Sequence, residues 1–389
     1  MDGRSAPQNA PAAGAASEHA LPLFWPLAAA RALGEAQLGL YQKYLKFLVE
    51  APTLDYRPKP VFATPNQVLL DLHTMQLRSF GAPVPGQLPV LVVAPYAGHS
   101  AVIADFHNGQ SLVRTLLHQA LCHVLVTDWK SATATMKDYD VDTYLAELNV
   151  CVDDLGGRVH LVGLCQGGWM SAMYAARFPA RVRSLVLAGS PIDTHAGTGA
   201  LKQFADTTPP AFYDEMIAMG AGLMRGSVML RGWKNMHPDQ QYLGKYVELY
   251  EHIDDPGYLA RTKAFESWYE NPIDLPGRWY LQVINELFRD NRLAKGEFVG
   301  LGRTLSLRDI TCPLYLLAGA GDDITPREQV FAARALVGTP PERIVEATAP
   351  GGHVGLFMGG RTLSTNWPVI GRWIRDQQEM NLATAAARS

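Results

Sequence analysis

Across residues 61–190, short apolar runs alternate with stretches of helical spacing, and this alternation predicts an α/β architecture. Residues 68–77, 90–94, 123–127, 160–164 and 184–188 read as strands, and 90–94 is apolar throughout, as suits a strand buried on both faces. Helical spacing falls near 110–119, 141–155 and 169–177. Beyond residue 193 the pattern changes to about a hundred residues of mostly helical spacing, with Trp233, Trp268 and Trp279 and interruptions at Pro209, Pro210, Pro256 and Pro276. Strand character returns at 313–319 and 344–347, before a final amphipathic helix. Upstream, 28–50 carries Leu38, Tyr41, Leu45 and Leu48 at helical spacing, with Leu33 and Tyr44 nearby. The expected role of this helix is packing on the main domain; the alternative is docking to a hydrophobic surface. The pattern divides the chain into a disordered tail (1–20), an N-terminal helical segment (21–60), an α/β core (61–194 with 301–380) and a helical insertion (195–300).

Composition narrows the function classes. Of 389 residues, 48% are hydrophobic and 18% charged, enough apolar material for a sizeable core. A net charge of −3 without a Lys/Arg run argues against nucleic acid as the main partner. Cysteines 122, 151, 165 and 312 form neither a C-x-x-C pair nor a metal-ligand cluster, so no metal is expected and the usage suits a reducing cytoplasm. Cys122, Cys151 and Cys312 stand in apolar contexts and read as plain core residues. Pro22 and Pro26 interrupt the apolar stretch at 21–33, which argues against a secretion signal, and no stretch reaches the ~18 apolar residues of a membrane span.

The chemistry concentrates at 159–170, V-H-L-V-G-L-C-Q-G-G-W-M. An apolar run, a small-residue turn and a helix-forming stretch are the sequence form of a nucleophile elbow, with Cys165 where a hydrolase carries serine. Glycines at 163, 167 and 168 suit so tight a turn, and a helix N-terminus favours thiolate. A buried structural cysteine is the plainer alternative. A catalytic cysteine also needs a base and an orienting acid, and in α/β-hydrolases these follow in the order nucleophile, acid, histidine. Asp322 follows the 313–319 run, with Asp323 beside it as the cap of the helix that Pro326 starts; His353 stands in a glycine-flanked loop after 344–347. The expected fold is therefore the α/β-hydrolase fold, a mainly parallel sheet with a helical cap inserted before the late core strands. The oxyanion hole would use the N–H of Gln166 and one from the loop after 90–94, from Tyr96 or Ala97. His99 and Asp323 are candidate pocket residues.

Several stretches then resemble a known group. They are A-P-Y-A-G-H at 94–99, T-D-W at 127–129, Y-D-V-D-T-Y at 139–144, G-S-P-I-D-T at 189–194, I-D-L-P at 273–276, W-Y-L-Q at 279–282, D-D-I at 322–324 and H-V-G-L-F-M-G-G-R at 353–361. They are similar to intracellular polyhydroxyalkanoate (polyhydroxybutyrate) depolymerases and, less closely, to polyhydroxyalkanoate synthases, over about residues 33–374. Gly167-Gly168, S-L-V-R at 111–114 and N-R-L at 291–293 look like the synthases instead. The resemblance implies an α/β-hydrolase enzyme with a Cys165-Asp322-His353 triad and no cofactor. It implies a polyester or hydroxyacyl substrate, a cytoplasmic setting with association to polymer granules, and allows a homodimer. The leading expectation is a cysteine-nucleophile polyester hydrolase. Its alternatives are a synthase-like acyltransferase using 3-hydroxyacyl-coenzyme A, for which no nucleotide-cradling motif is seen, and a non-catalytic granule-binding protein.

Overall fold

The structure is a computed structural model that describes residues 25–51, 58–236 and 245–386. Eight strands form one sheet: β1 (Gln67–Asp71), β2 (Met75–Gly81), β3 (Val90–Val93), β4 (His123–Trp129), β5 (Val159–Leu164), β6 (Val182–Ala188), β7 (Leu314–Gly319) and β8 (Ile344–Ala349). Their order is β1-β2-β4-β3-β5-β6-β7-β8. β1, β2 and β4 pair antiparallel in succession, and every later neighbour is parallel. Only a sheet covered on both faces accommodates strands such as β3, β5 and β7, which are buried at every position. This is the α/β-hydrolase fold, as expected.

The covering helices include α1 (Trp25–Glu50), α2 (Leu112–Leu117), α3 (Val141–Asp154) and α4 (Gln166–Arg177). Asp140 caps α3 by accepting from the Thr143 N–H, and Ser111 caps α2 by accepting from the Arg114 N–H. Between β6 and β7 lie α5 (Ala200–Thr207), α6 (Pro210–Met219), α7 (Gly226–Met236), α8 (Lys245–Glu251), α9 (Pro256–Tyr269) and α10 (Gly277–Gln282). A π-helix at Val283–Arg289 follows α10. The chain's last described helix is α11 (Trp367–Ala386). No helix among the described residues is long and apolar enough to cross a membrane.

Three expectations need correction. The 68–77 run is not one strand: the chain reverses at Leu72, where the Leu72 N–H donates to the Met75 carbonyl. The Glu147 carboxylate of α3 drives the reversal by accepting from the N–H groups of His73 and Thr74 (3.0 and 2.9 Å) and from the Thr74 hydroxyl. Second, Cys151 is a core residue, but Cys122 and Cys312 are only partly buried.

Third, α1 does not pack on the sheet. Its Lys43 and Lys46 side chains bind the Glu251 carbonyl and Asp254, Glu50 pairs with Lys263, and Phe47 meets the Tyr250 ring edge-on. The docked face thus mixes charge pairs with Phe47, which packs with Ala51 against Leu249 and Ile253, while Leu38, Tyr41, Leu45 and Leu48 are 42–59% exposed. Periodicity revealed an apolar face but not what lies against it. The expected tail at 1–20 lies outside the described residues.

Candidate active site

Cys165 follows β5 and immediately precedes α4, with φ 50° and ψ −117°. That conformation is strained for a residue with a side chain, so the surroundings must enforce it. They do so by close packing. A Cβ at Gly167 would strike the Val93 carbonyl at the end of β3, one at Gly168 would strike Ser190 Oγ, and one at Gly163 would strike the backbone of Gly168. The Cys165 N–H donates to the Ala188 carbonyl at 2.9 Å, which ties the elbow to the end of β6. Seated at the N-terminus of α4, the sulfur feels the positive end of the helix dipole.

Asp322 and His353 reach the same end of the sheet on the loops after β7 and β8, and backbone bonds from Ala320 to Ala349 and from Gly321 to Gly351 lace these loops together. His353 Nδ1 donates to Asp322 Oδ2 at 2.7 Å. The other carboxylate oxygen accepts from the N–H groups of Ile324 (3.1 Å) and Thr325 (2.8 Å), so Asp322 has little freedom to turn. Burial by itself would disfavour charge on His353. Interaction with Cys165 and the hydrogen bond donated to Asp322 outweigh it and raise the imidazole pKa to about 10. Nε2 is buried and forms no hydrogen bond of standard geometry, yet it is close enough to Cys165 to interact with it electrostatically. The structure therefore brings together Cys165, His353 and Asp322, three residues far apart in the chain. Their arrangement can support an imidazolium–thiolate pair with the imidazole tautomer fixed by a carboxylate.

Gln166 is the first residue of α4, so its N–H has no carbonyl four residues back to bond. A Cβ at Gly167 would meet the backbone of Val93 and Ala94, so the start of α4 packs against the end of β3, from which the loop carrying Tyr96 and Ala97 leaves. Tyr96 is wholly buried, and its hydroxyl accepts from the Tyr144 hydroxyl at 2.8 Å. Its ring packs against Tyr144, Trp279 and Trp129 with centroids 4.8, 5.0 and 5.6 Å away. Ala97 is partly exposed, next to Gly98 at φ +89°.

His99 does not face the triad; it joins the loop to the insertion. Its Nε2 bonds the Tyr269 carbonyl at 2.9 Å, and its ring packs against Trp268 and Tyr269 of α9. Burial lowers its pKa to about 4, so it is neutral at pH 7. Asp323 is exposed, and its carbonyl accepts from the Ala200 N–H. Nor is it the helix cap: Pro326 holds that position without a side-chain bond, and the neighbouring Asp322 takes the N–H groups of the turn.

Sequence reasoning missed the supports of the loop that follows β3. Thr127 Oγ1 accepts from the Ala94 N–H at 3.1 Å, and Trp129 Nε1 donates to the Ala94 carbonyl at 2.8 Å. The T-D-W run at 127–129 was the available signal. A second missed network joins the core to the insertion. Asn291 Nδ2 donates to Asp193, and the Thr194 hydroxyl donates to the Leu287 carbonyl in the π-helix.

Several known proteins are similar to this chain. The Haloferax mediterranei "Poly(3-hydroxyalkanoate) polymerase subunit PhaC" is 27% identical over 81% of this chain and 65% of its own length. So the chain spans about two thirds of that relative. Polymerase subunits of the same description from Allochromatium vinosum and Synechocystis sp. are each 26% identical, over 85% and 88% of this chain and 92% of theirs. Among solved structures, a Paleococcus ferrophilus monoacylglycerol lipase is 16% identical at a TM-score of 0.48, covering 78% of this chain and 99% of its own. A thioesterase domain from the curacin biosynthetic pathway is 14% identical at the same TM-score, covering 81% and 99%. The expected kinship with the synthases is supported. These relatives give no support to the expected kinship with depolymerases. A family model described as "Protein of unknown function (DUF3141)" matches residues 68–345, from β1 past the elbow and Asp322 into β8, and the chain belongs to that family.

Proposed function

We propose that the protein is a polyhydroxyalkanoate synthase-like acyltransferase, which moves a 3-hydroxyacyl group from coenzyme A to the hydroxyl end of a growing polyester. The observation that carries this reading is a cysteine at the elbow, only 7% exposed, interacting with a buried histidine. A thiol exchanges one thioester for another at almost no free-energy cost, and a nucleophile shielded from water favours transfer to an alcohol over hydrolysis. The polymerase names of the relatives support the same reading.

In this mechanism the Cys165 thiolate attacks the acyl carbonyl of the coenzyme A thioester. The N–H of Gln166 and one from Tyr96 or Ala97 bind the oxyanion; losing one such donor costs about 3 kcal/mol. Collapse of the tetrahedral intermediate breaks the bond to the coenzyme A sulfur, which takes the His353 proton and leaves as the thiol, so that the acyl group stays on Cys165 and His353 is neutral. His353, held by Asp322, then takes the proton of the chain-end hydroxyl as that oxygen attacks the acyl-cysteine carbonyl. The new ester forms and the Cys165 thiolate is released. The product is water-insoluble, and the outward apolar face of α1 supports a protein held at the granule surface.

The test is wild type beside Cys165→Ala, each given (R)-3-hydroxybutyryl-coenzyme A and, separately, amorphous polyhydroxybutyrate. The expected result is Cys165-dependent release of free thiol with matching polymer growth. Thiol release without polymer would identify a thioesterase, and release of 3-hydroxybutyrate from the polymer a hydrolase; either would overturn the reading.

A further inference from the structure

The end of the sheet opposite Cys165 carries a second concentration of charge. Arg158 precedes β5, Arg183 lies in β6, and Arg343 closes the short turn at Pro341–Arg343 before β8. Because β5, β6, β7 and β8 are parallel neighbours, these three arginines gather at one edge, with His160 of β5 and Cys312, just before β7, between them.

Three like charges repel, so the cluster needs a counter-ion. Among the described residues none of the three makes an ion pair, and the charges acting on Arg183 are Arg158, Arg343 and Cys312, with no carboxylate among them. Arg183 Nη2 donates to the Gln377 carbonyl at 2.6 Å, which places the guanidinium without neutralising it. Nor can the thiol supply the missing charge: burial pushes the Cys312 pKa up to about 12 despite the three cations. His160 adds none, since burial and the arginines bring its pKa down to about 3, and its Nδ1 is bonded to Ser184 Oγ at 2.7 Å. Three nitrogens there are buried with no hydrogen-bond partner: Arg158 Nε, Arg183 Nε and His160 Nε2. Unpaired buried donors cost free energy unless a ligand takes them. Arg158 and Arg183 are partly buried and Arg343 is exposed, so solvent-borne ligands can reach the cluster from the Arg343 side. Guanidinium forks match tetrahedral oxyanions.

We infer that Arg158, Arg183 and Arg343 form a binding site for a phosphate-type oxyanion at the N-terminal ends of β5, β6 and β8. The site is separate from the thiol: β5 spans six residues, or about 20 Å, between the two ends of the sheet. It does not depend on the reaction proposed for Cys165.

Calorimetric titration of the full chain with inorganic phosphate and with adenosine 3′,5′-bisphosphate, at ionic strength fixed with chloride, tests the assignment. We expect saturable binding, weakened about tenfold in Arg343→Gln. Arg343 is exposed, so that variant should fold; Arg183→Gln serves as the second variant once its melting curve shows a folded protein. Bisphosphate binding at least tenfold tighter than phosphate would assign the site to a nucleotide-borne phosphate; equal affinities would assign it to free phosphate. No saturable heat with either anion, or affinity unchanged in both variants, would overturn it.

Discussion

α4 and α1 are both helices whose positions along the chain the sequence foresaw, but they meet the rest of the protein in opposite ways. α4 sits with glycines against β3 and Ser190, so closely that no side chain fits at two of its first three positions. α1 rests on α8 and the turn after it through Lys43, Lys46 and Phe47, and leaves its leucines in solvent. One position is fixed by steric exclusion; the other is held by exposed, salt-screened charge pairs and a small hydrophobic contact of Phe47 with Leu249 and Ile253. The difference separates the part proposed to do chemistry from the part whose apolar face is open to a surface.

The comparison can be broken most directly at the elbow's chemistry. Cys165→Ala should lower turnover by about 10⁴-fold or more with the fold intact, and Asp322→Asn by about 10³–10⁴-fold through a misplaced imidazole tautomer. Initial rates alongside melting curves separate this from unfolding; substantial residual turnover in Cys165→Ala would remove the thiol from the mechanism. Packing comes next. Gly168→Ala should destabilise by about 2–3 kcal/mol, because its Cβ would overlap Ser190, and Ser190→Gly should restore much of that loss. Equilibrium urea unfolding reads both, and a neutral Gly168→Ala would mean the elbow is looser than described.

A smaller effect should follow pH. His99 and His160 have folded pKa values lowered to about 4 and about 3, against 6.5 for the free group. Between those limits the unfolded chain binds more protons, so stability is full above pH 6.5 and falls as pH drops toward 4. Melting temperatures across that range should show the decline, and His99→Gln should flatten part of it. The smallest effect on stability belongs to α1. Leu45→Glu with Leu48→Glu should shift unfolding free energy by about 0.5 kcal/mol or less, while abolishing co-sedimentation with polyhydroxybutyrate granules. A large loss of stability would show that this face is packed after all.

These contrasts explain what could be read from the sequence. The strands and the elbow were legible because burial on both faces and a glycine-rich turn leave local signatures; so were Asp322 and His353, from their order after late apolar runs. The supports were not, since Thr127 and Trp129 act on Ala94 from the neighbouring strand, and the T-D-W run does not by itself tell which backbone groups it meets. The Asp322–Asp323 choice turned on which carboxylate is buried, and the reversal at Leu72 on a glutamate about seventy residues away. The face that α1 turns outward depended on carbonyl and carboxylate partners after α8 rather than on its own periodicity.

The central claim is that Cys165 carries the acyl group during transfer to an alcohol. The most direct measurement is rapid quenching of the enzyme with (R)-3-hydroxybutyryl-coenzyme A, then peptide mass spectrometry and a chase with a hydroxyl-terminated oligomer. The account predicts a hydroxybutyryl group on the Cys165 peptide that forms within one turnover and passes to the oligomer. An unmodified Cys165 during active turnover, or an acyl group that leaves only to water, would contradict it.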